Sequence, residues 1–155
     1  MIQSCCASRA AHFDPDSSSI DFELRLIDVS NQNLTALPPL VVENSDKVEH
    51  LILDGNNFTE YFLNTTFSNL RTLSLNTNRI RDVGFLLRLV AKKCPKLSFL
   101  SLIGNPGWPN QFQVTDVRLY KNYTCAVARL LPRLEFLDSF QLSTKKLLTS
   151  TCRIS

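Results

Sequence analysis

The phrase LSFLSLIGNPG, Leu97 to Gly107, constrains this chain most, because its pattern of apolar positions recurs upstream. The pattern L-x-x-L-x-L-x-x-N is met by Leu97, Leu100, Leu102 and Asn105, by Leu70, Leu73, Leu75 and Asn78, and by Val48, Leu51, Leu53 and Asn56. A weaker copy runs through Leu24, Ile27, Val29, Gln32 and Leu34. The copies start at 24, 48, 70 and 97, which are 24, 22 and 27 residues apart. Each L-x-L pair alternates with period two, so its leucines share one face of a short strand and the intervening residues share the other.

That period is the one at which short strands stack into a leucine-rich repeat solenoid. The class expected is therefore α/β: a short parallel concave sheet, a helical and irregular convex side, and a helical C-terminal cap. After each strand the chain turns inside a nearly dry interior, where backbone N–H and C=O groups need partners. An asparagine side chain offers both donors and an acceptor, so Asn56, Asn78 and Asn105 are expected to form a ladder from coil to coil. Gln32 in the first copy suggests a looser edge turn.

Three segments follow from this pattern: a polar N-terminal tail at 1–19 expected to be disordered, the repeat domain with its cap at 20–142, and an extension at 143–155 with a short helix capped by Ser143. Within the domain, Pro38 and Pro39 are expected to stop any helix. GFLLRLVAKKCP reads as a helix with Phe85, Leu86, Leu89 and Val90 inward and Arg88, Lys92 and Lys93 outward. Phe58 with Tyr61 or Phe62 fills the convex side. Trp108 plugs a turn. The stretch TDVRLYKNYTCAVARLLP reads as a capping helix that buries Val117, Tyr120, Val127, Leu130 and Leu131 over a truncated strand at 134–138 and so covers an otherwise open sheet edge.

Composition sets the class of molecule. A chain of 155 residues, 44% hydrophobic, is long enough for one core. It has no apolar run near the roughly 20 residues of a membrane span. Residues 1–19 lack an apolar signal core, so a cytoplasmic location is expected and the sequons at Asn33, Asn57, Asn64 and Asn122 are read as inert. Cys5, Cys6, Cys94, Cys125 and Cys152 show no zinc spacing and are read as reduced thiols, with Cys94 and Cys125 as small core hydrophobes. Cys5 and Cys6 are weak candidates for lipidation. Residues 1–60 carry three bases against ten acids, while 61–155 carry fourteen bases against four acids, so the chain is a charge dipole. The Lys92–Lys93 cluster is accounted for by the negative end of its helix dipole, and no nucleic-acid partner is expected.

No catalytic, metal or cofactor constellation is legible. Only four glycines occur, and none begins a phosphate loop. His12 lies in the tail, and His50 and Asp54 sit roughly 13 Å apart along a strand. What remains is a binding face. The outward positions His50, Ile52, Asp54, Thr72, Ser74, Asn76, Phe99, Ser101 and Ile103 form columns on the concave sheet, extended by Leu26, Asp28, Ser30, Phe136 and Asp138. Apolar side chains facing water among polar ones have the character of an interaction site.

The terminal phrase from Tyr123 through Leu131-Pro132-Arg133-Leu134-Glu135-Phe136-Leu137-Asp138 resembles the cap of intracellular leucine-rich proteins such as the spliceosomal A-prime protein. LILDGNNF, LRTLSLNTNRIRDV and LSFLSLIGNPGWPNQF resemble, more closely, the melanocyte differentiation-associated branch of that group. The resemblance covers residues 48 to about 142 and implies a cytosolic, non-enzymatic adaptor in biogenesis of melanosomes and related organelles, acting with a Rab-family small GTPase; the chain itself is expected to be a monomer. The alternative it implies is a nuclear ribonucleoprotein scaffold. The family extends past the cap in a polar tail, and the first 45 residues match it poorly.

Overall fold

The computed structural model describes residues 19–21, 25–109 and 117–142. The 1–18 part of the expected tail, the Ser143-capped helix and the C-terminal extension lie outside them. Among the described residues one sheet of seven strands follows chain order: β1 (Ser19–Asp21), β2 (Leu26–Asp28), β3 (His50–Ile52), β4 (Thr72–Ser74), β5 (Phe99–Ser101), β6 (Phe136–Leu137) and β7 (Phe140–Gln141). β2 to β6 are parallel and in one register, with Leu26, His50, Thr72, Phe99 and Phe136 side by side and Ile27, Leu51, Leu73, Leu100 and Leu137 in the next row. The chain is a leucine-rich repeat solenoid of the α/β class.

The period-two argument explains the core. Ile27, Leu51, Leu73, Leu100 and Leu137 are all buried, as are Val29, Leu53, Leu75 and Leu102 two positions on. They join Phe58, Phe62, Phe67 and the inner face of one helix in a single apolar cluster. Tyr61, by contrast, is 69% exposed and lies against Phe85 at 5.1 Å between ring centroids.

Three helices occur among the described residues: α1 (Pro39–Glu43), α2 (Val83–Lys93) and α3 (Val117–Leu130). α1 corrects the expectation that Pro38 and Pro39 exclude a helix. Pro39 stands at its first position, where the missing N–H is no loss. In α2 the Asp82 carboxylate accepts from the Phe85 N–H at 2.8 Å, and Cys94 followed by Pro95 ends the helix. Its buried face is Val83, Leu86, Leu87 and Val90, one step around from the expected one, so Phe85 and Leu89 lie at the boundary. In α3 Leu130 is exposed rather than buried, and Cys125, Val127, Ala128 and Leu131 take the core.

Both ends of the sheet differ from the sequence expectation, because each carries an antiparallel strand. β1 pairs Ser19 with Asp28, and β7 returns from β6 through Asp138 at φ 54° to pair Phe140 with Leu137. α3 then joins an aromatic cluster. Trp108 meets Tyr123 edge-on at 5.4 Å and Tyr120 at 6.2 Å, and Tyr120 meets Phe140 at 6.2 Å. The helix therefore seals the end of the core, and the sheet edge itself is taken up by β7.

Candidate functional site

The concave face rests on the turns behind it. Asn56 donates to the Val29 and Leu53 carbonyls, both at 2.9 Å, and accepts from the Gln32 and Leu34 N–H groups, both at 3.0 Å. Asn78 donates to Leu53 and Leu75 at 3.0 and 3.1 Å and accepts from Phe58. Asn105 donates to Leu75 and Leu102 at 2.8 Å and accepts from Ile80. Each amide bridges its own coil to the one before, so the strands above are held at fixed spacing.

One feature of these turns had no signal in the leucine pattern. The residues immediately before Gln32, Asn56, Asn78 and Asn105 are Asn31, Gly55, Thr77 and Gly104, and all four have left-handed backbone at φ 57°, 67°, 53° and 78°. Two are glycine and one asparagine, which tolerate that region; Thr77 is β-branched and does not.

On the concave surface a chain of hydrogen bonds crosses from β3 to β6. Asp54 accepts from the Ser74 hydroxyl at 2.7 Å and from the Asn76 backbone and side-chain N–H groups at 2.8 and 3.0 Å. Asn76 in turn accepts from the Ser101 hydroxyl at 2.7 Å and the Ile103 N–H at 2.9 Å. Asp138 takes the Leu102 N–H and the Trp108 indole N–H, each at 2.8 Å. His50 Nδ1 pairs with the Thr72 hydroxyl at 2.9 Å.

These bonds correct part of the expected surface. Ser74 and Ser101, read as outward-facing contact residues, are only 8% and 4% exposed, and Asp138 is buried as well. Their short side chains lie below the taller Asp54, Asn76 and Trp108 that bind them, so they brace the platform. His50, Ile52, Asp54, Thr72, Asn76, Phe99 and Ile103 keep partial exposure, and Phe136 is 39% exposed. Because the polar groups satisfy one another, a ligand would draw its affinity from the apolar members Leu26, Ile52, Phe99, Ile103 and Phe136.

Electrostatics divides the rim. Arg25 and Arg71 flank Glu49, whose carboxyl lies below its usual value chiefly through the Arg25 hydrogen bond. Burial, reinforced by the Asp138 charge, raises the Tyr120 phenol, whose hydroxyl donates to Asp138 at 3.4 Å. Cys94 is a buried free thiol pushed up to about 12 by desolvation. Cys125 departs from the expectation of reduced thiols, being disulfide-bonded. Among the described residues no cluster of His, Cys, Asp and Glu could hold a metal ion, and no helix is long and apolar enough to cross a membrane.

No protein-family model matches the chain. It is 42% identical over 94 residues to the human leucine-rich melanocyte differentiation-associated protein, a stretch that takes in 59% of this chain and 48% of that protein. It is 31% identical over 127 residues to the mouse oligodendrocyte-myelin glycoprotein, across 81% of this chain and 28% of that one. The chain thus spans about half the length of the first relative and under a third of the second. Two solved structures share the fold. One is a chain of the Drosophila melanogaster SNF/U2A′ complex, with TM-score 0.52, 19% identity, and coverage of 89% of this chain and 82% of that chain. The other is actin-binding site 2 of leiomodin-1, with TM-score 0.51, 14% identity, and coverage of 83% and 79%.

Proposed function

We propose that this leucine-rich repeat protein, a relative of the leucine-rich melanocyte differentiation-associated protein, is a non-enzymatic adaptor that grips a protein partner on its concave sheet. The observation that carries the reading is the set of partly exposed apolar side chains Ile52, Phe99 and Ile103, with exposed Phe136, on a sheet whose polar groups are already paired. A platform of that kind needs no rearrangement to bind, so little of the contact energy is lost to ordering. His50, Asp54, Thr72 and Asn76 rim the apolar centre and would set orientation, with Ser74 and Ser101 supporting from beneath.

The similarity to the human protein, named for melanocyte differentiation, prompts a more specific version: an adaptor in biogenesis of melanosomes or related organelles, with a Rab-family small GTPase as partner and neither cofactor nor direct nucleic-acid contact. Pull-down with Rab proteins loaded with GTP or GDP tests it. Capture of one nucleotide state, lost on Phe99→Asp, is the expected result; no capture in either state removes the Rab assignment.

A second reading is favoured by the shared fold with the SNF/U2A′ complex: a nuclear ribonucleoprotein scaffold. Exclusion of the tagged chain from nuclei eliminates it.

A further inference from the structure

Granted that the concave sheet is the binding face, we propose that it selects a basic amphipathic helix of a partner protein. One lysine or arginine of that helix enters between Asp28 and Asp54, and one large apolar side chain seats against Phe99 and Phe136. Charge is spread unevenly over the face. Its outward positions carry the carboxylates of Asp28, Asp54 and the buried Asp138 and, among the described residues, no lysine or arginine, in a chain of 17 bases and 14 acids. Asp28 Oδ1 accepts from the Ser30 N–H at 2.9 Å and the Ser30 hydroxyl at 2.6 Å, which leaves Oδ2 without a donor among the described residues. Asp54 takes its three hydrogen bonds from Ser74 and Asn76, and a carboxylate has room for about four. Every one of these donors is neutral, so neither negative charge is offset. The ion pairs among the described residues lie at the opposite end of the strands, where Arg25 and Arg71 both face Glu49.

Ile52 sits between the two carboxylates. It stands beside Asp28 in the β2–β3 register and two positions before Asp54 on the same face of its strand, and it is partly exposed. A basic side chain can lay its methylene stem on Ile52 while its head reaches both acids, a mixed contact that long cations favour. An acidic partner would be repelled there. The apolar end lies apart from this pair. Phe99 and Phe136 are register partners on β5 and β6. Phe99 stands two strand spacings from Ile52 and two residues along, roughly 12 Å away at the usual spacings of a sheet. A helix covers about 10.5 Å between residues seven apart on one face, and it pairs its own backbone groups. An extended segment laid across the same side chains would press unpaired N–H and C=O groups against them.

The test is fluorescence anisotropy of the full chain with the labelled peptide Ala-Ala-Gln-Arg-Ala-Ala-Gln-Ala-Ala-Ala-Phe-Ala-Gln-Ala. Saturable binding with Kd on the order of 1 mM is expected, as befits one charged and one apolar anchor. Glutamine in place of the arginine should weaken it about three- to tenfold, and alanine in place of the phenylalanine by a similar factor. Asp28→Asn, which keeps the bonds from Ser30, and Asp54→Asn should each weaken the arginine peptide and leave the glutamine peptide unchanged. Glu43→Gln removes the same charge from exposed α1 and should alter neither. Phe99→Ala should weaken both peptides. Equal affinity for the arginine and glutamine peptides, or full arginine-peptide affinity in both aspartate variants, overturns the charge assignment; if Phe99→Ala still weakens binding, the concave face stands as the binding surface. Binding untouched by Phe99→Ala overturns both. Absence of saturable binding overturns the helix proposal while leaving capture of a whole protein partner to its own experiment.

Discussion

The Asn78 side-chain nitrogen donates to the Leu53 carbonyl at 3.0 Å across a separation of 25 residues. The bond joins two coils through a buried polar group, and it makes Asn78 worth more than its own turn. Asn78→Ala would strand the Phe58 N–H in the core, while the Leu53 and Leu75 carbonyls keep their bonds from Asn56 and Asn105, at a cost of about 1–3 kcal/mol. Leu75→Ala, which opens a void at a fully buried position, should cost about 2–5 kcal/mol. Chemical denaturation of both variants checks the pair: each midpoint should fall.

Thr77 gives the opposite sign. It holds φ 53° at a turn position where its counterparts in neighbouring coils are glycine, and a β-branched residue there costs on the order of 1–2 kcal/mol. Thr77→Gly should therefore raise stability by about 1 kcal/mol, the strain relieved exceeding the added entropy of the unfolded chain. The converse applies at Gly55, where an added Cβ would collide with the Asn31 side chain. Gly55→Ala should lower the melting temperature, since both the left-handed backbone and the stacked turn oppose it.

What could be read in advance depended on how far each signal sits from its structural cause. Leu51, Leu73 and Leu100 announce their strands because burial on one face forces the period-two spacing. β1 and β7 were not legible, since a short edge strand needs only a backbone partner, and neither Ser19–Asp21 nor Phe140–Gln141 carries the L-x-L pair of the repeat. For the concave face, alternation correctly assigned side but not depth. Ser74 and Ser101 point the same way as Asp54 and Asn76, and only their shortness lets the longer side chains close over them. The pairing of Trp108 with Asp138 spans 30 residues and had no local signature.

Alkaline pH should act through Tyr120. Its phenol titrates higher in the folded chain than the ordinary value of 10, because burial and the adjacent Asp138 charge disfavour the phenolate. A group with a raised folded pKa contributes stability that is complete below the unfolded pKa and is lost as pH climbs above it. Stability should thus decline above about pH 10, and Tyr120→Phe should flatten that decline. Melting temperatures across pH 8 to 11 for the two proteins measure it; parallel curves would remove Tyr120 as the cause.

Cys94 offers a probe of cooperativity at the convex side. Its thiol is 2% exposed and shifted to about 12, so little thiolate exists near neutral pH and the sulfur is shielded from reagents. Alkylation by iodoacetamide, followed residue by residue by peptide mapping, should leave Cys94 unmodified in the native chain and modify it only as denaturant unfolds the domain. If labelling tracks global unfolding, the ends of α2 and α3 belong to the same cooperative unit as the leucine core. Labelling well below the unfolding midpoint would instead show that the contact between the ends of α2 and α3 opens on its own, by a local transition of lower free energy. The first outcome is expected, because Cys94 packs in the same apolar cluster as Val90, Leu97 and Leu131.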